Sequence, residues 1–178
     1  MDMEEKTLES ELVFDGTMLH VYSDKVLCPS GAASVREYAK HCDAAAILPI
    51  TDGGNVILER QYRYPFHRVL IEVPAGKCDE SESTKDAAIR ELREETGYSE
   101  RELIYLGDFY PTVAYSTEVI GLYAAKGLIP GQNHLDKDES LEIFQVPLEE
   151  FYRMCADGRI NDGKTLAIAY RYRMLSKD

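Results

Sequence analysis

The segment Ser83–Thr96, STKDAAIRELREET, constrains this chain more than any other, because its period fits a helix and not a strand. Ala87, Ala88 and Leu92, with Ile89 on the flank, form an apolar stripe, while Lys85, Asp86, Arg90, Glu91, Arg93, Glu94 and Glu95 carry charge. Ser83 followed by Asp86 makes a capping box with Asp in place of Glu, and Gly97 supplies the stop. On such a helix Glu91 and Glu95 share a face, with Glu94 beside them. Like charges at that spacing repel, so the cluster is either well solvated or neutralised by something cationic. Hard oxygen ligands on one rigid face suit Mg²⁺ or Mn²⁺, which bind a few carboxylates together with substrate phosphate oxygens. Arg90 is placed to orient one of these glutamates. A solvated acidic face is the plain alternative in a chain with 32 Asp and Glu.

The surroundings of this helix are rich in strand signals. Glu11–Phe14, Met18–Leu27, Ala33–Lys40, Ala44–Ile50, Val56–Tyr64 and Val69–Val73 read as strands, punctuated by Asp15-Gly16, Pro29-Ser30-Gly31 and Pro74-Ala75-Gly76. The turn Thr51-Asp52-Gly53-Gly54 predicts a hairpin between the fourth and fifth of them. After the helix, Leu103–Tyr110, Glu118–Ala125 and Glu142–Val146 read as strands and Leu128–Glu139 as a loop. Leu148–Asp157 and Lys164–Leu175 read as helices. The expected architecture is a mixed α/β domain over residues 43–178, preceded by an N-terminal β-arm over residues 1–42.

Composition narrows the function class. A formal charge of −12 argues against nucleic acid as the partner, since phosphate backbones need a basic footprint. It leaves small phosphorylated substrates open, because a bound divalent metal reverses the local sign. Cys28, Cys42, Cys78 and Cys155 show neither disulfide nor zinc spacing and read as reduced thiols. The acidic N-terminus has no signal-peptide core, and the longest apolar run, Ala44–Ile50, is too short for a membrane span. A cytoplasmic protein with no membrane partner is the expectation. His20, His41, His67 and His134 lack ligand spacing, and no serine elbow or Cys/His pair is evident, which disfavours covalent catalysis.

The wider pattern is far more specific than the helix alone. Gly76, five residues, Glu82, seven residues, Arg90-Glu91-Leu92, one residue, Glu94-Glu95, one residue, then Gly97-Tyr98 resembles the complete Nudix box. From background composition such a match arises on the order of once in a billion placements. The resemblance implies a Nudix hydrolase, an α/β/α sandwich that cleaves a nucleoside diphosphate joined to another moiety with Mg²⁺ or Mn²⁺. It implies Glu91, Glu95 and the Ala75 carbonyl as metal ligands, and Glu94 as a further ligand through water or substrate. Glu82 and Arg90 would brace the site. Metal ions there neutralise diphosphate oxygens, lower the pKa of a water and stabilise the leaving phosphate.

Outside the box the chain resembles the ADP-ribose pyrophosphatase group of that family. The matching stretches are 36–41 (REYAKH), 61–64 (QYRY), 71–77 (IEVPAGK), and Gly158-Arg159-Ile160 followed by Asp162 and Lys164-Thr165. By this resemblance Arg63 contacts substrate phosphate and Lys77 lies on the substrate side. Arg36 is supplied to a neighbouring subunit, which implies a homodimer through the arm. Glu72 joins the metal or water network or is structural, and Glu118 contacts substrate or water. The acidic loop Leu135–Glu139 resembles a mobile loop bringing Glu139 to the metals as base or ligand, with Asp138 and Glu142 as alternates. The group's loop usually reads Ser-Pro-Gly where this chain has Thr112-Val113-Ala114. The implied reaction is hydrolysis of ADP-ribose to AMP and ribose 5-phosphate. The alternatives are another nucleotide sugar such as GDP-mannose, or a non-catalytic nucleotide-binding module, a class that usually lacks the box carboxylates this chain retains.

Overall fold

The computed structural model describes residues 3–135 and 140–176. The chain divides into two compact units, one made of Met1–Cys42 and Tyr110–Glu118, the other of Asp43–Phe109 and Val119–Asp178. The first unit is an antiparallel meander of β1 (Lys6–Asp15), β2 (His20–Leu27) and β3 (Ala33–Lys40). Every residue of β1 is exposed, so this strand extends well beyond Glu11–Phe14 through polar residues that carry no burial pattern. Tyr110–Glu118 joins the unit through backbone bonds between Ala39 and both Tyr115 and Thr117, at 2.8 and 3.1 Å.

The second unit holds β4 (Ala44–Pro49), β5 (Asn55–Arg63), β6 (Arg68–Glu72), β7 (Ala75–Lys77), α1 (Thr84–Thr96) and β8 (Tyr98–Ser99). It continues with β9 (Glu102–Phe109), β10 (Ile120–Lys126), β11 (Ile129–Pro130), β12 (Leu141–Pro147), α2 (Leu148–Ala156) and α3 (Gly163–Leu175). One sheet runs β7-β4-β10-β9 with β4 and β10 parallel, and a second runs β12-β5-β6, fully antiparallel. Strand β4 explains the layering. It is buried along its whole length, and its residues alternate between two cores. Ala44, Ala46 and Leu48 join Val56, Leu58, Leu122, Phe151 and Ile168 in the core shared with β5, α2 and α3. Ala45 and Ile47 face the other way, against Ala87, Ala88 and Leu92 of α1. Helices therefore cover both sides of mixed β-structure, the α/β/α sandwich expected.

One expectation fails. The turn after β4 forms, with Thr51 N–H bonded to the Asn55 carbonyl at 2.9 Å and a bridge between Ile50 and Val56. The two strands then part into different sheets. Strand β4 gives one edge to β10 and the other to β7, which leaves none for β5. Among the described residues no helix is long and apolar enough to cross a membrane.

Candidate active site

Local chemistry places α1 as its sequence dictates. The Ser83 hydroxyl accepts the Asp86 N–H at 3.2 Å, and Gly97 ends the helix at φ 75°, its N–H bonded to the Arg93 carbonyl. Gly97 also approaches the Gly131–Asn133 backbone closely, since a Cβ there would lie 2.8 Å from the Asn133 nitrogen. The His134 N–H bonds the Glu94 carbonyl at 2.8 Å.

The glutamates of α1 are not a solvated face. Glu91 is 8% exposed and Glu95 2%, both turned onto the β7 backbone. The Ala75 N–H donates to Glu95 Oε2 at 3.1 Å. The Glu91 carboxylate lies so near Gly76 that a Cβ on that residue would sit 1.7 Å from Oε1. Gly76 is therefore required for close approach rather than for a special φ.

Arg90 offsets the repulsion among these acids. Its Nε and Nη2 donate to the two oxygens of Glu82 at 3.0 and 2.9 Å, and Nη2 also reaches the Lys77 carbonyl at 2.9 Å. Its Nη1 donates to Glu91 Oε1 at 2.7 Å and Glu94 Oε2 at 3.0 Å. The hydrogen bonds it donates to Glu82 first, then that to Glu94 and the charge of Glu91, drive the guanidinium pKa upward. The same bonds hold the Glu82 carboxyl below the usual carboxylate range.

A second polar cluster lies between β5, β6 and α3. Arg63 forks onto Glu72, its Nε and Nη2 each 2.7 Å from a carboxylate oxygen. Lys164 also donates to Glu72 and lies 3.1 Å from Asp162. The Thr165 hydroxyl donates to Asp162 at 2.6 Å and accepts the Val73 N–H at 3.1 Å. Burial pulls the Glu72 carboxyl upward, but the Arg63 hydrogen bonds and the Lys164 charge outweigh it, and the net shift is downward. Beside this cluster stands Glu59, fully buried, with neither carboxylate oxygen hydrogen-bonded to a donor. Burial pushes its carboxyl up to about 8, against the pull of Lys164.

The structure thus gathers Ala75, Lys77, Arg90, Glu91, Glu94 and Glu95 around one backbone turn, with Lys77 itself exposed and contributing its carbonyl. Arg63 stands in the second cluster. Arg36 and Glu118 belong to the arm unit: Arg36 bonds Glu5 at 2.9 and 2.5 Å, and Glu118 lies 3.6 Å from His41. Glu139 lies outside the described residues, as does Asp138. Glu142, the other alternate, pairs with Arg60 at 3.0 Å. Sequence reasoning missed Glu59, whose one signal is a lone acid closing the apolar run Val56-Ile57-Leu58.

A divalent cation fits this chemistry. The donors are all oxygens, the two α1 carboxylates are buried, and a third buried carboxylate lacks a donor. Among the described residues no three acidic, His or Cys side chains are gathered tightly enough to hold an ion alone. Backbone, water or substrate oxygens would complete the coordination, as is usual for Mg²⁺.

Comparison with known proteins agrees with this geometry. Residues 40–167 match the NUDIX domain model. An ADP-ribose pyrophosphatase of Bacillus subtilis (strain 168) is 36% identical over 177 residues, covering 98% of this chain and 95% of its own. A methanol dehydrogenase activator of Bacillus methanolicus is 36% identical over 176 residues, with the same shares covered. A crystal structure of an ADP compounds hydrolase superposes with a TM-score of 0.89, covering 99% of this chain and 97% of that one. At 24% identity it is a likeness of fold alone. With the box intact and the match running through most of the chain, this protein belongs to the NUDIX domain family.

Proposed function

We propose that the protein hydrolyses the diphosphate bond of ADP-ribose, adding water to give AMP and ribose 5-phosphate, with Mg²⁺ (or Mn²⁺) as its cation. The observation that carries this reading is the pair of buried carboxylates, Glu91 and Glu95, pressed onto the Ala75–Gly76 backbone. A solvated acidic surface would not bury them. A non-catalytic binding module would not need the whole box. The bound ion supplies charge neutralisation for the diphosphate oxygens and acidifies water. The chain's own residues do the rest. Glu91 and Glu95, with the Ala75 carbonyl, hold the ion, and Glu94, only half engaged by Arg90, is free to meet substrate or water. Arg90 keeps the carboxylates in register through Glu82 and the Lys77 carbonyl. Arg63 gives Nε and Nη2 to Glu72, so a substrate phosphate would be met by its Nη1 face. Lys77 is the exposed cation at the mouth of the same turn. Glu139 is assigned as base or further ligand from its place in the sequence.

We further propose a cytoplasmic homodimer built through the arm, with Arg36 and Glu118 serving the substrate. Exposed Leu8, Leu12, Val13, Phe14 and Val35 on the arm support a partner surface, and four free cysteines suit a reducing compartment. The relative from Bacillus subtilis supports ADP-ribose as the substrate. The test is a panel of nucleotide sugars with Mg²⁺, reading phosphate after phosphatase coupling. ADP-ribose should turn over fastest. Faster release from GDP-mannose would reassign the substrate, and no release from any member would leave a binding module.

A further inference from the structure

Asp162, Lys164 and Thr165 open α3, and the proposed chemistry gives them no part. Their side chains form a continuous chain of hydrogen bonds and ion pairs. The Thr165 hydroxyl accepts the N–H of Val73, two residues before Ala75, and donates to Asp162. Asp162 caps the helix by taking the Thr165 N–H at 2.9 Å, and lies 3.1 Å from the Lys164 ammonium. Lys164 donates in turn to Glu72 Oε2, and Glu72 holds Arg63 by both of its oxygens.

The direction in which Arg63 lies depends on this anchor. Across the ladder Glu72 faces Glu59, so Arg63 stands four residues further along β5, roughly 13 Å away at the rise of a strand. To fork onto Glu72 its side chain runs back along the sheet, toward the end of β6 that leads into Pro74 and Ala75. An arginine without such a hold samples many rotamers, and ordering it would cost binding energy at every encounter with substrate. A glutamate is itself a flexible side chain, and Lys164 fixes it from the other side. Exposure separates the three roles. Glu72 is 1% exposed and Lys164 11%, whereas Arg63 is 36% exposed and keeps Nη1 outside the fork.

We propose that Lys164 is a positioning residue for substrate binding: by pinning Glu72 it holds Arg63 along the sheet, with Nη1 turned to the substrate diphosphate. This rests on the reading that Arg63 meets substrate phosphate. It makes the first turn of α3 part of the active site, although no residue of α3 belongs to the box.

The experiment measures hydrolysis of ADP-ribose under Mg²⁺ by the parent, Lys164→Met, Lys164→Arg, Arg63→Lys and the double variant Lys164→Met/Arg63→Lys, with a thermal melt of each. Lys164→Met keeps the length of the side chain and removes the ammonium. It should raise KM roughly 10-fold, within the range for residues coupled in one network, and leave kcat within threefold. Lys164→Arg keeps charge and donors and should recover at least part of the lost KM. Arg63→Lys has no fork to position, so adding Lys164→Met to it should change KM by less than threefold. A lysine that only neutralised a buried acid would lower the melting temperature and leave KM alone. A KM of Lys164→Met within threefold of the parent therefore overturns the proposal. So does a loss confined to kcat, or one that adds in full to that of Arg63→Lys, since Lys164 would then act without Arg63. A Lys164→Met chain that does not fold at the assay temperature overturns it too, because the ammonium would then serve the fold itself. Arg63→Lys with the parent's KM defeats the reading of Arg63, and a parent that leaves ADP-ribose intact defeats the proposed reaction; this inference falls with either. A raised KM in Arg63→Lys with a normal KM in Lys164→Met defeats only the role of Lys164.

Discussion

Replacing Gly76 with alanine tests the geometry of the site with a single methyl group. The added Cβ would lie 1.7 Å from Glu91 Oε1, 2.2 Å from its Cδ and 2.9 Å from Oε2. Ordinary contact begins near ~3.4 Å, so the carboxylate must retreat by roughly 1.7 Å. The backbone at Gly76 lies outside the left-handed region, so alanine brings no φ strain and the clash stands alone. Retreat takes Glu91 off its rotamer, at about 0.5–1.5 kcal/mol, and breaks its 2.7 Å bond to Arg90. The fold should survive with a loss of about 1–3 kcal/mol. The function should not, because a reacting group misplaced by more than about 1 Å costs on the order of 100-fold, or about 2.7 kcal/mol at the transition state. The assay is AMP release from ADP-ribose under Mg²⁺, with Mn²⁺ affinity and a thermal melt on the same preparation. Adding Glu91→Asp, which withdraws the carboxylate by one methylene, should restore melting temperature to the Gly76→Ala chain. Gly76→Ala with kcat/KM and Mn²⁺ affinity within threefold of the parent would refute the placement of Glu91.

Three further outcomes follow from the same contacts. Glu95→Gln should lower the rate by orders of magnitude while melting no earlier than the parent, since one member of a repelling pair is gone; near-normal Mg²⁺-dependent activity would remove α1 from the mechanism. Arg63→Ala should cost about 3 kcal/mol at neutral pH, because it strips two of the hydrogen bonds from Glu72, which is 1% exposed. The folded Glu72 carboxyl is held below its usual 4.5, so this contribution is present in full above that value and is lost as pH falls from it through the lower folded value. Urea melts of parent and variant should therefore converge in acid, and a gap unchanged at low pH would detach the effect from Glu72. Deleting the arm should abolish both dimer and activity in sedimentation and turnover measurements, and a fully active monomer would end the shared-site reading of Arg36.

Legibility in the sequence followed how local each decision is. Helix α1 starts and stops on its own cap residues, Ser83 and Gly97, so its bounds could be read directly. Strand β3, entered from the turn around Gly31, matched the expected Ala33–Lys40 throughout. Pairing is not local. The turn at Thr51–Asn55 formed, yet β4 and β5 separated, because a strand buried on both faces takes a partner on each edge. The same competition created β7, whose Pro74-Ala75-Gly76 approach reads as a turn and becomes a strand only beside Ala44–Ala46. The box spacing located Glu91 and Glu95 but could not reveal their burial.

The two acidic clusters differ in a way that also separates scaffold from function. Around Arg90 one guanidinium spans Glu82, Glu91, one oxygen of Glu94 and the Lys77 carbonyl. Only a planar fork of five donors can serve so many acceptors at once; a lysine ammonium could not. That closure ties the loop at Glu82 to the helix, and it lets a repelling triad of glutamates fold without metal. Around Glu59 nothing plays that part: its buried carboxyl has no donor, and Arg63 and Lys164 both give hydrogen bonds to Glu72 instead. Glu91 is bonded to the closed network, while Glu95 takes the Ala75 N–H of β7. On the proposed reading, an incoming cation would meet Glu91 held in place by Arg90 and Glu95 held against β7, and the helix turn that repels itself in isolation would become the point where the ion binds.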